Sequence, residues 1–185
     1  ILGNRGSEPP ASYLTLNAYD TRSKVSPPLR TNEDLQGVLN ALNMGVIDAI
    51  ATDHAPHTFS DKMVPFDNAT VGISNLETAF GSLMTLVHSN ALSLTTLIGK
   101  LTVGPAKVLG PKFTEYATLA PGTPADIVVF DPTQDWIVDT SEFRSKGKNS
   151  PLEGQSLKGR VMMTIAGGEI IFIAPTAQIT QGGRA

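Results

Sequence analysis

The sequence predicts an α/β protein with two parts: the C-terminal part of a TIM-like (β/α)8 barrel over residues 1–116, and a small β-sandwich module over residues 117–185. Two observations support this division. In the first part, a helix pattern runs into a short apolar strand pattern that ends in polar residues, as in barrels whose chemistry lies where strands end. In the second part, helical periodicity gives way to short β-branched runs separated by turn residues.

The first predicted helix has clear signals at both ends. Thr31 can cap its N-terminus, with Asp34 at the third helical position, and Gly45 ends it. Apolar residues at helical spacing predict one buried stripe, formed by Leu35, Val38, Leu39 and Leu42.

Residues 46–52 predict a buried strand, because this short segment is mostly apolar and β-branched at several positions. The strand leads directly into Asp53, His54 and His57. Because catalytic groups of barrel enzymes follow their strands, this junction is the candidate site.

The rest of the first part predicts a loop followed by helices. The loop covers residues 58–72, and helices are expected over 76–89, 94–101 and 103–109. The residues expected to face inward from the first of these helices are Leu76, Ala79, Phe80, Leu83, Met84 and Val87.

The second part predicts strands over 126–131 and 136–138, and then a hairpin. The hairpin pairs residues 161–166 with 169–173, and Gly167 and Gly168 form its two-residue turn. Part of the sandwich is expected to come from sequence that precedes this chain.

Composition limits the classes of function. A net charge of −3 gives no basis for binding nucleic acid or an anionic membrane. The sequence contains no Cys, which excludes disulfides, thiolate metal sites and a Cys nucleophile, and fits the cytoplasmic location that we expect. No apolar run approaches the roughly 20 residues that cross a bilayer.

We expect the chain to be a fragment of a longer protein, because its start carries no Met, no signal-peptide pattern and no clear helix or strand cap. A complete barrel needs about 250 residues, and one clear barrel strand is predicted here. We therefore expect most of the barrel to lie upstream, and expect the 185 residues alone to fold poorly and to be inactive.

The candidates for metal chemistry are the His residues, of which the chain has three. Imidazole and carboxylate are common metal ligands. Adjacent Asp53 and His54 point to opposite sides of an extended strand, however, and a catalytic zinc takes about three protein ligands. The alternative is that Asp53, His54 and His57 cap loop carbonyls and amides. His88, on a predicted helix, is interpreted as structural.

Five segments, in order, resemble dihydroorotases of the class I type in the amidohydrolase superfamily, over roughly residues 19–174. One such segment is a weak signal, whereas five in order are a strong one. The segments are 24–30 (Lys-Val-Ser-Pro-Pro-Leu-Arg), 50–58 (Ile-Ala-Thr-Asp-His-Ala-Pro-His-Thr), 71–79, 121–131 and 143–161.

The resemblance implies roles for individual residues. Asp53 matches the Asp at the end of the eighth barrel strand, which contacts the metal and carries a proton from the attacking water to the leaving amide nitrogen. His57 matches the His that binds the substrate's carboxylate. Ser26 stands where bacterial members often carry a substrate-contacting Asn. The backbone of Val71 and Gly72 is expected to meet the pyrimidine ring.

The resemblance also implies a reaction and a cofactor. The reaction is reversible hydrolysis of dihydroorotate to N-carbamoyl-aspartate, and the cofactor is one or two zinc ions whose other ligands lie upstream. The family's His-x-His-Arg motif is absent here, and residues 7–16 lack the frequent His-His pair. Residues 70–75 read Thr-Val-Gly-Ile-Ser-Asn, where the family usually reads Pro-Phe-Gly-Ile-Val-Gly. His54 is interpreted as a structural residue beside the site.

Two alternatives stay open. The chain could belong to an inactive dihydroorotase-like scaffold for a partner such as aspartate carbamoyltransferase, or to a cyclic amidase of the allantoinase or hydantoinase type. The tail over 146–160 and the position of His57 favour dihydroorotase. We expect a small-molecule substrate and a homo-oligomer, with neither nucleic acid nor membrane as a partner.

Overall fold

The computed structural model describes residues 19–175 as an α/β structure, which confirms the predicted class. The helices are α1 (Asn32–Asn43), α2 (Phe59–Lys62), α3 (Ala79–His88), α4 (Leu94–Leu101) and α5 (Val103–Leu109). The strands are β1 (Ile127–Ile137), β2 (Ser156–Ala166) and β3 (Glu169–Ile173). Short 3-10 helices lie at Thr21–Ser23, Phe66–Asn68, Pro111–Ala117 and Thr140–Glu142.

The predicted domain ranges reach beyond the described residues. The described residues do not include 1–18, which contain the segment 7–16 that lacks the His-His pair, or 176–185. The division into 1–116 and 117–185 therefore stays a prediction. None of the helices in the described region combines the length and the apolar character needed to cross a bilayer.

Helix α1 follows its local sequence signals closely. The Thr31 side chain accepts a hydrogen bond from the Asp34 N–H, and the Asp34 carboxylate accepts one from the Thr31 N–H, forming a capping box. These bonds from Thr31 lower the pKa of Asp34. Val38 was predicted to be buried but is 45% exposed, because it lies at the edge of the apolar stripe. The buried members of the stripe are Leu35, Leu39 and Leu42.

Replacing Thr31 with Ala is expected to destabilise the protein by about 1 kcal/mol, because α1 loses its N-terminal cap. The free energy of unfolding measured in urea should show this loss. The matched control is Thr95→Ala, which removes an exposed Thr from the first turn of α4 that is not the capping residue. An equal loss in both variants would mean that the capping box does not stabilise α1.

The prediction of a strand over residues 46–52 is wrong. The backbone there belongs to no strand, and a single parallel bridge joins His54 to Ile73 just beyond it. A strand requires a neighbouring strand for its N–H and C=O groups. In the described region these groups find other partners: the Ile47 N–H donates to the carbonyl of Ala41, and the Ile50 N–H donates to the carbonyl of Lys100.

Helices α1, α3 and α4 share one hydrophobic core. Met84 is fully buried, as predicted, and Leu86 is buried although the predicted stripe omitted it. Leu76 was predicted to face inward but is 58% exposed, because α3 begins at Ala79, so that Leu76 precedes the helix. The buried residues of this core are Leu35, Leu39, Leu42, Met84, Leu86, Leu92 and Leu97.

The strands form an antiparallel sheet in the order β1-β2-β3. β1 is one strand where two were predicted, and its pairing with β2 shifts register between Asp131 and Asp135. This irregularity accommodates Pro132, which has no N–H to donate to a ladder. The hairpin of β2 and β3 around Gly167 and Gly168 is confirmed.

Helix α3 packs directly against β2 at Gly159. This residue has φ +100°, and a Cβ there would lie 2.7 Å from the Cγ of Met84. The Trp136 indole donates a hydrogen bond to the carbonyl of Gly159 at 3.0 Å. The sheet and α3 are therefore in direct contact at Gly159. A second sheet, as a sandwich requires, is not formed by the described residues.

Candidate active site

Asp53 lies on the wall of a cavity of about 250 Å³, and its side chain is exposed. Its φ is +48°, in the left-handed region that residues other than Gly seldom adopt. Such a conformation costs free energy and persists where surrounding contacts enforce it, often at functional sites. The backbone conformation of Asp53 is therefore evidence for a functional site, and this evidence does not depend on the resemblance to a family.

The residues on both sides of Asp53 are held by the segment after the 58–72 loop. The Asn75 side chain donates from Nδ2 to the carbonyl of Thr52 at 2.5 Å. The His54 ring accepts at Nδ1 from the backbone N–H groups of Asn75 and Leu76, both at 3.1 Å. His54 thus has the structural contacts that the sequence led us to expect.

Ser26 lines the same cavity as Asp53, so the structure brings these two predicted site residues together. Arg30 also lines it, but its guanidinium lies 3.4 Å from the Asp34 carboxylate and its side chain is 68% exposed. Arg30 is therefore paired with α1 at the surface. An ion pair this exposed contributes little to stability.

His57, Val71 and Gly72 form a second group. The Nε2 of His57 lies 2.9 Å from the carbonyl of Val71, and because a carbonyl can only accept, Nε2 carries the proton. Gly72 has φ +127°, and a Cβ there would lie 2.7 Å from the Cβ of Ala55 and 2.9 Å from Nε2 of His57. Glycine is needed at this position because the loop passes so close to the imidazole.

Asp53 and His57 line different cavities. His57 borders a space of about 620 Å³ on the other side of the loop, which Asp53 does not line. The backbone links the two groups, because the Gly72 N–H donates to the carbonyl of Lys24, two residues before Ser26. The described residues therefore place all five predicted site residues around one loop, but they do not enclose them in one pocket.

Asn149 is the residue that joins these segments, and the sequence analysis did not single it out. Its Oδ1 accepts from the His57 N–H at 2.8 Å and from the Ser74 hydroxyl at 3.1 Å. Its Nδ2 donates to the carbonyl of Gly72 at 3.0 Å. The side chain is buried, at 7% exposure. Membership of the 143–161 segment was the one sequence signal that could have identified it.

The sequence analysis also did not identify Lys62, whose side chain fixes the loop over residues 58–72. Only 3% of the residue is exposed, and its Nζ donates to the carbonyls of Thr21 and Thr70. Burial lowers the pKa of Lys62, and the positive charge of Lys24 lowers it further. These two hydrogen bonds from the buried Lys62 thus hold the loop that carries Val71 against the segment that carries Ser26.

Within residues 19–175, no three His, Asp or Glu side chains lie close enough together to hold an ion. The exposed Asp53 carboxylate can supply one ligand. The Nδ1 of His54 and the Nε2 of His57 are both engaged with backbone groups. Asp53 fits as one member of a ligand set whose other members the described residues do not contain.

The comparisons with known proteins agree on one family. The sequence model of the amidohydrolase family matches residues 12–171. The dihydroorotase of Syntrophus aciditrophicus (strain SB) is 50% identical over 155 residues, which cover 83% of this chain and 35% of that protein. The dihydroorotase of Thermoanaerobacter sp. (strain X514) is 48% identical over the same coverage.

Solved structures of other proteins are also similar to this chain. The L-hydantoinase (dihydropyrimidinase) from Arthrobacter aurescens is 32% identical with a TM-score of 0.73, covering 83% of this chain and 35% of that one. The dihydropyrimidinase from Brevibacillus agri NCHU1002 is 26% identical with a TM-score of 0.73, covering 82% of this chain and 34% of that one. The chain thus spans about 35% of the length of the curated relatives it matches.

Proposed function

Because the chain belongs to the amidohydrolase family, we propose that it is part of a dihydroorotase, which reversibly hydrolyses the cyclic amide of dihydroorotate to N-carbamoyl-aspartate in pyrimidine biosynthesis. The observation that carries the proposal is Asp53: an exposed carboxylate at a cavity, on a left-handed backbone, in the segment that resembles the family. The relatives called dihydroorotase, at 44–50% identity, support this choice of reaction.

In the proposed mechanism, Asp53 moves the proton. One of its carboxylate oxygens accepts a proton from the attacking water and then donates it to the ring nitrogen that leaves. Amide cleavage requires both transfers, because hydroxide is scarce at neutral pH and an amide anion is a poor leaving group. The proposed cofactor is zinc, one or two ions with Asp53 as a ligand, and it would supply Lewis-acid polarisation of the amide carbonyl.

The other residues would bind and orient the substrate. His57 is proposed to bind the carboxylate of dihydroorotate, and Ser26 to contact the ring or the carboxylate from the cavity wall it shares with Asp53. The Ser26 side chain is shorter than the Asn often found in the family, so its contact would be weaker or bridged by water. The backbone groups of Val71 and Gly72 would meet the pyrimidine ring.

The larger assembly is part of the proposal. We propose that this chain supplies the last part of the barrel and part of the sandwich module, in a cytoplasmic homo-oligomer with aspartate carbamoyltransferase as a candidate partner. Exposed apolar residues on the sheet are consistent with further chain packing there, because strand faces of this kind are normally covered. They include Val128, Val129, Ile170 and Ile171.

A substrate panel tests the reaction. The protein, purified at the full length that its gene encodes and supplied with zinc, would be given dihydroorotate, dihydrouracil, hydantoin and allantoin. Dihydrouracil is dihydroorotate without the carboxylate, and a site built for a polar group rejects an analogue lacking it by at least about a hundredfold in kcat/KM. Faster turnover of any of the other three would assign the cyclic amidase alternative. No turnover of any would assign the inactive scaffold.

His57 gives a sharper test of the same proposal. His57→Ala is expected to raise KM for dihydroorotate by about 10- to 100-fold, because a hydrogen bond to a charged group contributes about 1.5–3 kcal/mol. The loss should be absent with dihydrouracil if that substrate is turned over at all. The matched control is His88→Ala, at the exposed end of α3. An unchanged KM in the His57 variant would remove His57 from the binding site.

A further inference from the structure

The conformation of Asp53 requires an explanation that the proposed reaction does not provide. With φ +48°, the residue occupies a backbone region that disfavours a side chain, yet its own carboxylate is exposed at the cavity. Within residues 19–175, the Asp53 side chain makes no hydrogen bond or ion pair that would hold it in place. The cause must therefore lie in the residues before and after it.

Both neighbours of Asp53 are fixed by one short segment. The Thr52 carbonyl accepts from Nδ2 of Asn75 at 2.5 Å. On the other side, Nδ1 of His54 accepts from the N–H groups of Asn75 and Leu76, both at 3.1 Å. Three hydrogen bonds thus connect positions 52 and 54, on either side of Asp53, to positions 75 and 76.

The backbone continues the same contact. His54 forms a parallel bridge with Ile73, and the Ala55 N–H donates to the carbonyl of Ile73 at 2.9 Å. Because Nδ1 accepts two N–H groups, it carries no proton, and the ring is in its Nε2–H tautomer. The imidazole here is neither a metal ligand nor a proton donor through Nδ1. Its contacts serve only to fix the chain beside Asp53.

We propose that His54 and Asn75 form a latch, here called the Asp53 latch, that holds the strained backbone of Asp53 and so aims its carboxylate at the cavity. They are called positioning residues because their contacts are with the backbone on either side of Asp53. Asn75 stands where the family usually has Gly, so the side-chain half of the latch is a feature of this chain. The inference rests on the proposed function, since it explains how the proton-transferring group is oriented.

The latch should affect the chemical step more than substrate binding. A carboxylate that is free to turn away still lets the substrate bind to the other groups, but it is misplaced when a proton must move. Removing a residue that orients a catalytic ligand typically reduces activity by about 10- to 100-fold. The His54 half, with two hydrogen bonds, should matter more than the Asn75 half, with one.

The test compares four variants of the full-length protein. His54→Leu removes the acceptor, whereas His54→Asn can place an amide oxygen near the position of Nδ1. Asn75→Ala removes the bond to Thr52. Asn43→Ala is the matched control, because its Nδ2 also donates to a backbone carbonyl, that of Ala91 at 2.9 Å, far from the site. kcat, KM and the crystal structure of the His54→Leu variant are measured.

We expect His54→Leu to lower kcat for dihydroorotate by at least about tenfold, with KM within about threefold of the unmodified protein. His54→Asn should recover most of that loss, Asn75→Ala should lower kcat by about three- to tenfold, and Asn43→Ala should leave kcat unchanged. In the His54→Leu crystal structure, φ of Asp53 should leave the left-handed region.

Two results would overturn the latch: a kcat unchanged in His54→Leu, or a crystal structure of that variant with Asp53 still at positive φ. A failure of the proposed function can be distinguished from a failure of the latch. If the unmodified protein does not turn over dihydroorotate, the reaction is wrong, while φ of Asp53 in the variant structure still decides whether the latch exists.

Discussion

Replacing Asp53 with Asn is expected to lower kcat for dihydroorotate hydrolysis by at least about a thousandfold, at the upper end of what general acid–base groups contribute. Asn has the size of Asp and can still accept a hydrogen bond, but its amide oxygen is not a base at neutral pH. It therefore cannot take the proton from water or return it to the leaving nitrogen. Formation of N-carbamoyl-aspartate, separated chromatographically, measures the effect on hydrolysis, and formation of dihydroorotate measures it in the reverse direction.

The matched control for this prediction is Asp48→Asn, the same change at an exposed position five residues earlier. It should leave kcat unchanged, which separates the loss of the Asp53 carboxylate from a general effect of one less negative charge. Zinc content should be measured in all samples, because a ligand change can lower activity by loss of the ion alone. An Asp53→Asn protein that retains a tenth or more of the activity would contradict the proposed proton transfer.

Local signals in the sequence were sufficient for the elements whose causes are local. The capping box of Thr31 and Asp34 and the turn at Gly167 and Gly168 involve residues within a few positions of each other, and the structure reproduces both. The strand over residues 46–52 failed for the opposite reason. Its apolar pattern describes burial, but a strand also needs a partner, and no pattern within the segment can show whether one is present.

The site residues also differ in whether their signals are local or come from distant parts of the sequence. Asp53 was singled out by a motif local to it, although the strand expected to lead into it is not formed. Asn149 could not, because its partners His57 and Gly72 lie 92 and 77 positions away in the sequence. Lys62 was hidden among charged residues that are normally exposed, and only its contacts with distant carbonyls show that it is buried.

Asn149 is the residue whose replacement is expected to affect both stability and substrate binding, because its side chain joins the segments that carry His57 and Gly72. Asn149→Ala leaves the His57 N–H and the Gly72 carbonyl without this partner in a buried region, whereas the Ser74 hydroxyl can still donate to the carbonyl of Gly147. An unpaired buried group costs about 1–3 kcal/mol. We therefore expect a loss of roughly 3 kcal/mol in the free energy of unfolding, since some of these groups will find water instead.

The same variant should also weaken substrate binding. His57 and Gly72 are both proposed to contact dihydroorotate, and Asn149 fixes the backbone of both. KM should rise by about tenfold, the effect of roughly 1.4 kcal/mol of lost binding, whereas kcat should change less because Asp53 is held by other residues. Asn40→Ala, an exposed Asn of α1, is the control and should alter neither stability nor KM by a comparable amount.

Asn149→Asp separates the two arms of this side chain. The carboxylate can still accept from His57 and Ser74, but it cannot donate to the carbonyl of Gly72, which it instead faces with a negative charge. If KM depends on the His57 arm, the Asp variant should bind substrate better than the Ala variant despite a comparable loss of stability. If KM depends on the Gly72 arm, the Asp variant should bind no better, and the proposed ring contact at Gly72 would then control affinity more than the carboxylate contact at His57. Unchanged KM in both variants would mean that neither His57 nor Gly72 meets the substrate.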